Sequence, residues 1–389
     1  MEIRLKYGCN PHQTFARLAM ETPTAPLRVL NGNPSAINIL DALGAYPLAK
    51  ELKEATGLPG AASFKHVSPA GAAVAKPLSE AFRTTQSIPE TSLSPIAAAY
   101  ARARGGDRMC SFGDCAALSD PADADVAKLI AREVSDAIIA PGYEPEALET
   151  LKKKKGGRYV ILEIDPAYEP PDIEVKDVYG MSLEQTRNKA KISADLLKNV
   201  VSRKKDVPAA AAESLLVATV ALKYAQSNSV CVAYDGQVIG MGAGQQSRVH
   251  CTRLACAKAD KWLLQQHPRV LALKFKDGLG RVEKTNVVDS FLLWDELSQA
   301  EIDALLAQLD EKPSPLSPQE RADWISRFDG IALSSDAFIP FRDNVDRASR
   351  SGVQYVLQTG GAIRDDLVTG AADHYGMVMI HSGMRWFLH

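Results

Sequence analysis

The sequence predicts an α/β fold built as two units, and three observations lead there. Short apolar runs bounded by Gly, Pro and Asn alternate with longer helical stretches from residue 27 onward, the pattern of a parallel or mixed sheet with helices on both faces. At 389 residues the chain exceeds what one ordinary core organises, so two or three subdomains are expected. Hydrophobic residues make up 46% and charged residues 24%, the balance of a globular protein in water. The formal net charge of −2 offers no field for nucleic acid or an anionic membrane, so an anionic ligand must be held by local Arg and Lys. Cysteines 9, 110, 115, 231, 251 and 256 form no C-x-x-C pair and read as reduced thiols. The start Met-Glu-Ile-Arg-Leu-Lys lacks a signal-peptide core and no run reaches membrane length, so the expected location is the cytoplasm.

In chain order, Asn10-Pro11 places His12 and Gln13 on irregular backbone. Residues 27–30 read as a strand, and Asn33 or Ser35 caps a helix running to about Thr56. Ala61-Ala62-Ser63-Phe64 is a strand delivering Lys65 and His66, with the turn expected over Ser68-Pro69-Ala70-Gly71. A helix over Pro95–Arg104 follows, with Pro in its first turn. Arg108–Asp114 reads as a strand entering a glycine turn, Ala124–Val134 as a helix and Ala137–Ala140 as a buried strand. Pro145–Lys155 is a helix whose terminal lysines suit the macrodipole, and Tyr159–Ile164 is a strand. Asp165–Asp206 has weak periodicity and reads as a crossing between units. Ala209–Tyr224 is a helix, and two strands then flank a Tyr234-Asp235-Gly236 hairpin turn. Ser247 to about Gln265 is helical, 275–330 is a charged helical insertion, and strands near 330–333, 353–357 and 376–380 close the chain.

Two features invite chemistry. Lys65-His66 puts two ionisable groups side by side at a strand end. Repulsion between adjacent cations favours a neutral imidazole, a usable general base, beside a charged ammonium that stabilises developing negative charge. A solvated Lys-His at a loop start is the plainer alternative. Gly240-x-Gly-x-Gly before a helix suggests a nucleotide loop, but it is not G-x-G-x-x-G and lacks the βαβ context. Its glycines are better explained by close backbone approach, with Gln245, Gln246 and Arg248 presented by the turn. Neither G-x-S-x-G nor a papain-like cysteine context occurs.

Ser63–Gly71 resembles the Lys-His signature of the AICAR transformylase family, the folate-dependent formyltransferases of purine synthesis. The resemblance continues through Tyr7-Gly8-Cys9-Asn10-Pro11-His12-Gln13, Ser111-Phe112-Gly113-Asp114, Arg132-Glu133-Val134-Ser135-Asp136 and Ile139-Ala140-Pro141-Gly142-Tyr143. It resumes at Gln226-Ser227-Asn228-Ser229-Val230, Gly242–Arg248 and Ser334-Ser335-Asp336-Ala337-Phe338, and is weakest at about 165–210 and 290–330. It implies a duplicated cytidine-deaminase-like fold of three-layer α/β/α subdomains with a helical insertion. The boundaries expected on it are 1–170, a connector 171–210, a second subdomain 211–274 with 328–389, and the insertion 275–327.

The resemblance also implies roles. His66 is similar to the catalytic base that takes a proton from the 5-amino group of AICAR, with Lys65 and Asn228 stabilising the oxyanion. Lys6, Tyr7, His12, Asp114, Arg248, Arg385 and His389 match the AICAR-binding positions. Lys6 stands where the family commonly has arginine, which keeps the charge and loses the planar fork. Phe338, Pro340, Phe341 and Asp343 resemble the pocket for 10-formyltetrahydrofolate. A potassium ion is implied near Ser227, Ser229 and Asp336. A homodimer with sites at the interface is implied, with Lys65 and Arg248 free to come from different subunits. Zinc deamination, suggested by the implied fold, needs H-x-E and P-C-x-x-C spacings that the chain lacks, so no zinc is expected. The expected activity is formyl transfer from 10-formyltetrahydrofolate to AICAR, without IMP cyclohydrolase activity because the chain starts where the transformylase half starts. The alternative is a non-catalytic purine-nucleotide or folate-binding protein on the same scaffold.

Overall fold

A computed structural model describes residues 1–20, 22 and 24–389. Its centre is a mixed sheet of eleven strands. The first half supplies β1 (Leu27–Asn31), β2 (Gly60–Lys65), β3 (Ser68–Val74), β4 (Asp114–Leu118), β5 (Ser135–Ala140) and β6 (Val160–Ile164). The second supplies β7 (Val230–Tyr234), β8 (Gln237–Gly242), β9 (Ala332–Ser335), β10 (Tyr355–Gln358) and β11 (Val378–His381). Across the sheet the order is β11-β10-β9-β7-β8-β3-β2-β4-β5-β6-β1. Each half contains an antiparallel hairpin followed by three strands parallel to one another, β2/β3 with β4-β5-β6 and β7/β8 with β9-β10-β11. The halves join where Gln237 of β8 pairs Ala73 of β3.

Helices α1 (Ala36–Thr56), α2 (Pro95–Arg104), α3 (Ala124–Ala131) and α4 (Pro145–Lys153) belong to the first half. In the second half are α5 (Ala209–Lys223), α6 (Arg248–Leu264), α7 (Asp343–Arg350) and α8 (Asp365–His374). Local chemistry accounts for their ends. Ser35 caps α1 in a capping box with Asn38, and Gly57 closes it in the left-handed conformation. Ser94 caps α2 ahead of Pro95. The apolar faces of α1 and α5 share one core with β2, β3, β7 and β8, so residues from both halves of the chain pack together. On the other face α6 packs against β8 through glycines. A Cβ on Gly240 or Gly242 would lie 2.0 Å from Ala255 O or 2.2 Å from Cys251 O, which is the close approach that the sequence pattern implied.

Several elements differ from the sequence reading. The turn after Lys65 is His66-Val67, and Ser68–Gly71 is strand. Gly71 serves packing: its Cβ would lie 2.0 Å from Ala103 O of α2. Residues 108–113 form turns because Asp107 accepts from the Cys110 and Ser111 amides, and the strand starts at Asp114. α3 stops at Ala131, short of Val134. Within 165–206 an exposed hairpin pairs Ile173–Val178 with Met181–Thr186 around Tyr179-Gly180, both at positive φ. The region 275–327 holds the short helices Arg281–Leu292, Gln299–Leu306 and Pro318–Ile325, anchored by Phe291, Leu305 and Ile325. Among the described residues, no helix is long and apolar enough to cross a membrane.

Candidate active site

The hairpin in the middle of the sheet carries the first of the expected site residues. Lys65 ends β2, pairs Ser68 across the hairpin, and donates from Nζ to Phe112 O at 2.6 Å. The two turn residues, His66 (φ 54°) and Val67 (φ 53°), both occupy the left-handed region. Asparagine and glycine favour that conformation and a β-branched side chain resists it, so the turn is held by its surroundings. The holder is Asp41 on α1, whose Oδ1 accepts from the Val67 amide at 2.7 Å. Asp41 is buried, and burial raises its carboxyl pKa against the opposing pull of the Val67 and His66 amides. The His66 ring stays at the surface, with no hydrogen-bond partner among the described residues.

The second half of the chain meets this turn directly. Ser68 Oγ accepts from the Gln226 amide at 3.4 Å, and two residues on stands Asn228, joined to Ser227 by a cis peptide bond. Asn228 donates to Gln245 O at 3.0 Å and Gln246 O at 3.4 Å, and accepts from Arg248 Nη2 at 2.6 Å. Arg248, the first residue of α6, is itself buried. It ion-pairs with Asp336 and donates to Ser335 Oγ at 3.0 Å and Ser229 O at 3.2 Å. Asp336 Oδ2 takes Ser227 Oγ at 2.8 Å, Ser229 N at 2.9 Å and Ser229 Oγ at 3.1 Å. Arg248 therefore positions Asn228 and fixes the loop; its guanidinium is not offered to solvent. The Asp336 carboxylate, beside which potassium was expected with Ser227 and Ser229, is engaged by Arg248 and these serine donors.

The chain ends close by. Trp386, 2% exposed, donates its amide to Asp336 O at 2.8 Å, and Ser227 and Leu388 exchange bonds of 3.0 and 3.1 Å. The tail is thus docked, placing His389 one residue from Ser227's partner. Arg385 lies over the Phe387 ring at 4.7 Å, and the Phe387 and His389 rings are 5.4 Å apart. The N-terminal arm reaches the start of α1, five residues before Asp41. Lys6 N donates to Pro34 O at 2.9 Å and Ala36 N to Tyr7 O at 3.1 Å, and the Lys6 ammonium sits 5.5 Å from the Tyr7 ring centre. His12 is exposed on a loop closed by Gln13, which accepts from Asn10 N at 2.8 Å.

Asp114 lies inside the protein, fully buried between Arg104 at 2.7 Å and Ser63 Oγ at 2.7 Å. Phe338 and Phe341 are surface aromatics, 45% and 62% exposed, with Pro340 half-buried between them and Asp343 opening α7. Sequence reading overlooked four neighbours: Asp41, Ser68, Gln358 and His381. Gln358 and His381 end β10 and β11, with Gln358 Nε2 and His381 Nε2 2.9 Å apart, and Gln358 Oε1 accepts from Ile339 N at 2.9 Å. Burial lowers the His381 pKa from its ordinary 6.5. A polar residue closing an apolar strand before Gly-Gly or Ser-Gly was the available signal for both. Asp41 sits mid-helix and left none.

A family model described as the AICARFT/IMPCHase bienzyme matches residues 1–258. The chain is also similar over nearly its whole length to proteins named bifunctional purine biosynthesis protein PurH. It is 32% identical to that of Roseobacter denitrificans over 391 residues, covering 99% of this chain and 59% of the relative. Identity is 32% over 393 residues with that of Magnetococcus marinus, and 31% over 389 residues with that of Ruegeria pomeroyi, with the same coverage. The chain thus spans about 59% of the length of these relatives.

Proposed function

Because the chain belongs to the AICARFT/IMPCHase bienzyme family, we propose that it transfers a formyl group from 10-formyltetrahydrofolate to the 5-amino group of AICAR. The products are FAICAR and tetrahydrofolate. The observation that carries this reading is the exposed His66 on a turn held in the left-handed conformation, beside Lys65 and joined through Ser68–Gln226 to the Asn228 loop.

The AICAR amine is a weak nucleophile because its lone pair is delocalised into the imidazole. In this reading the free His66 ring takes the amine proton as nitrogen attacks the formyl carbon. Lys65 has three ammonium protons and spends one on Phe112 O, leaving two for the developing oxyanion or for proton transfer to folate N10. Asn228 joins them by giving up its longer bond, to Gln246 O at 3.4 Å; Arg248 and Gln245 keep its orientation. Arg385 and Lys6 supply cationic donors for the substrate phosphate, with His389, Tyr7 and His12 as further polar contacts. Asp114 contributes by fixing Arg104 and Ser63 behind the Lys65 strand. Phe338, Pro340 and Phe341 form the apolar side of the folate slot, with Asp343 reading its amino groups. No step runs through potassium.

The duplicated cytidine-deaminase-like architecture belongs to this proposal, and the repeated strand order supports it. So does homodimerisation, which would cover the exposed hairpin carrying Val178, Tyr179, Met181 and Leu183, at 46%, 98%, 65% and 56% exposure. Such a dimer would complete sites at its interface. The test is tetrahydrofolate formation by the purified chain with both substrates, beside His66→Ala. Turnover that needs both substrates and falls by about 10²–10⁴ in the variant is the expected result for loss of a general base. Persistence in His66→Ala would remove the mechanism, and AICAR binding by wild type without turnover would favour a binding protein.

A further inference from the structure

A broadly solvent-open cavity of about 470 Å³ that shares no residue with the site above lies between the helix Glu80–Gln86 and the first turn of Arg281–Leu292. Arg83 and Arg281 line it, and neither has a carboxylate to itself. Arg83 Nε is buried without a hydrogen-bond partner among the described residues, and the side chain's one hydrogen bond among them runs from Nη1 to Glu90 O at 3.5 Å. Arg281 donates from Nη2 to Ser87 O at 2.9 Å and reaches Glu133 at 3.3 Å, but Glu133 also serves Arg108 at 3.1 Å and Arg104 at 3.4 Å. One carboxylate is therefore divided among three guanidiniums, of which Arg104 alone also has Asp114. A guanidinium edge withdrawn from water and left unpaired is unfavourable until an anion meets it.

We propose that this cavity binds a small phosphate monoester. The phosphate sits between Arg83 and Arg281, with the Ser87 hydroxyl as a further donor. Two planar forks and a hydroxyl present more donors than a single carboxylate accepts, and they suit a dianion with three oxygens. The rest of the lining describes the organic part. Ile88 and Pro89 give an apolar wall, while the Glu80 carboxylate and Thr84 Oγ1, whose proton goes to Glu80 O at 2.9 Å, accept from a hydroxyl or amine. The volume is in the range of small-metabolite sites.

Isothermal titration of the full chain with inorganic phosphate and with ribose 5-phosphate, in phosphate-free buffer, tests this. Arg83→Gln should weaken one class of phosphate site by about tenfold or more through loss of a charge-assisted fork, and that class should survive Lys6→Ala/Arg385→Ala. Arg83 makes only the 3.5 Å contact, so the variant should fold, as circular dichroism would verify. Glu80→Gln removes a repelling carboxylate and should tighten phosphate binding about two- to fivefold, a gain that misfolding cannot imitate. Unchanged phosphate binding in folded Arg83→Gln, weaker binding in Glu80→Gln, or tighter binding of succinate than of phosphate would each overturn the proposal.

Discussion

Asp41 illustrates how a residue on one element can hold the turn of another. Its carboxylate lies within the protein, where burial raises its pKa above the ordinary 3.8, yet it accepts from the amide of a turn residue that resists its own backbone conformation. The folded state therefore holds the Asp41 proton more tightly than the unfolded chain. Its contribution to stability is full below the ordinary value and is lost as pH rises through the raised one. Asp41→Asn keeps an oxygen for the Val67 amide and removes the charge. In urea unfolding over a pH series, the variant should gain on wild type as pH climbs through that window and hold a constant advantage above it. A gap that narrows with rising pH would contradict the burial argument.

Elements are held to the sheet as much by missing side chains as by present ones. Gly71, Gly240 and Gly242 let α2 and α6 approach so closely that any Cβ would strike a helix carbonyl at 2.0 to 2.2 Å. Both helices end near the candidate site: α2 through Arg104 to Asp114, α6 through Arg248 to Asn228. Gly71→Ala should therefore destabilise by about 2–3 kcal/mol, the upper range for overpacking, because the clashing atom is backbone. Chemical denaturation would measure it, and a loss below about 0.5 kcal/mol, the scale of surface substitutions, would mean that α2 moves freely.

At the scale of the molecule, the two halves form one sheet and one shared core, yet the hairpin Ile173–Thr186 stands outside both. Its exposed Val178, Met181 and Leu183 share one face, and an unpartnered apolar ribbon of this kind calls for a covering surface. On the homodimer reading, Leu183→Asp should shift the chain towards monomer by sedimentation velocity while leaving its helical signal unchanged. A wild-type chain that sediments as a monomer would remove that reading.

What the sequence determined by itself is what local rules dictate. Capping residues and proline placement marked α1 and α2, apolar runs marked most sheet strands, and Asp235-Gly236 marked its hairpin, because each of these depends on neighbours within a few positions. The Lys65-His66 and Asn228 positions were legible as motifs. Only the tertiary structure decided how they are placed. The Ser68–Gln226 contact joins the hairpin that carries Lys65 to the loop that carries Asn228, and Arg248 and Asp114 prove to be buried partners because Asp336 comes to Arg248 from the end of β9 and Arg104 to Asp114 from the end of α2. The left-handed turn at His66-Val67 was not legible in the sequence: histidine tolerates that conformation but β-branched Val67 resists it, and a carboxylate from α1 accepts from its amide.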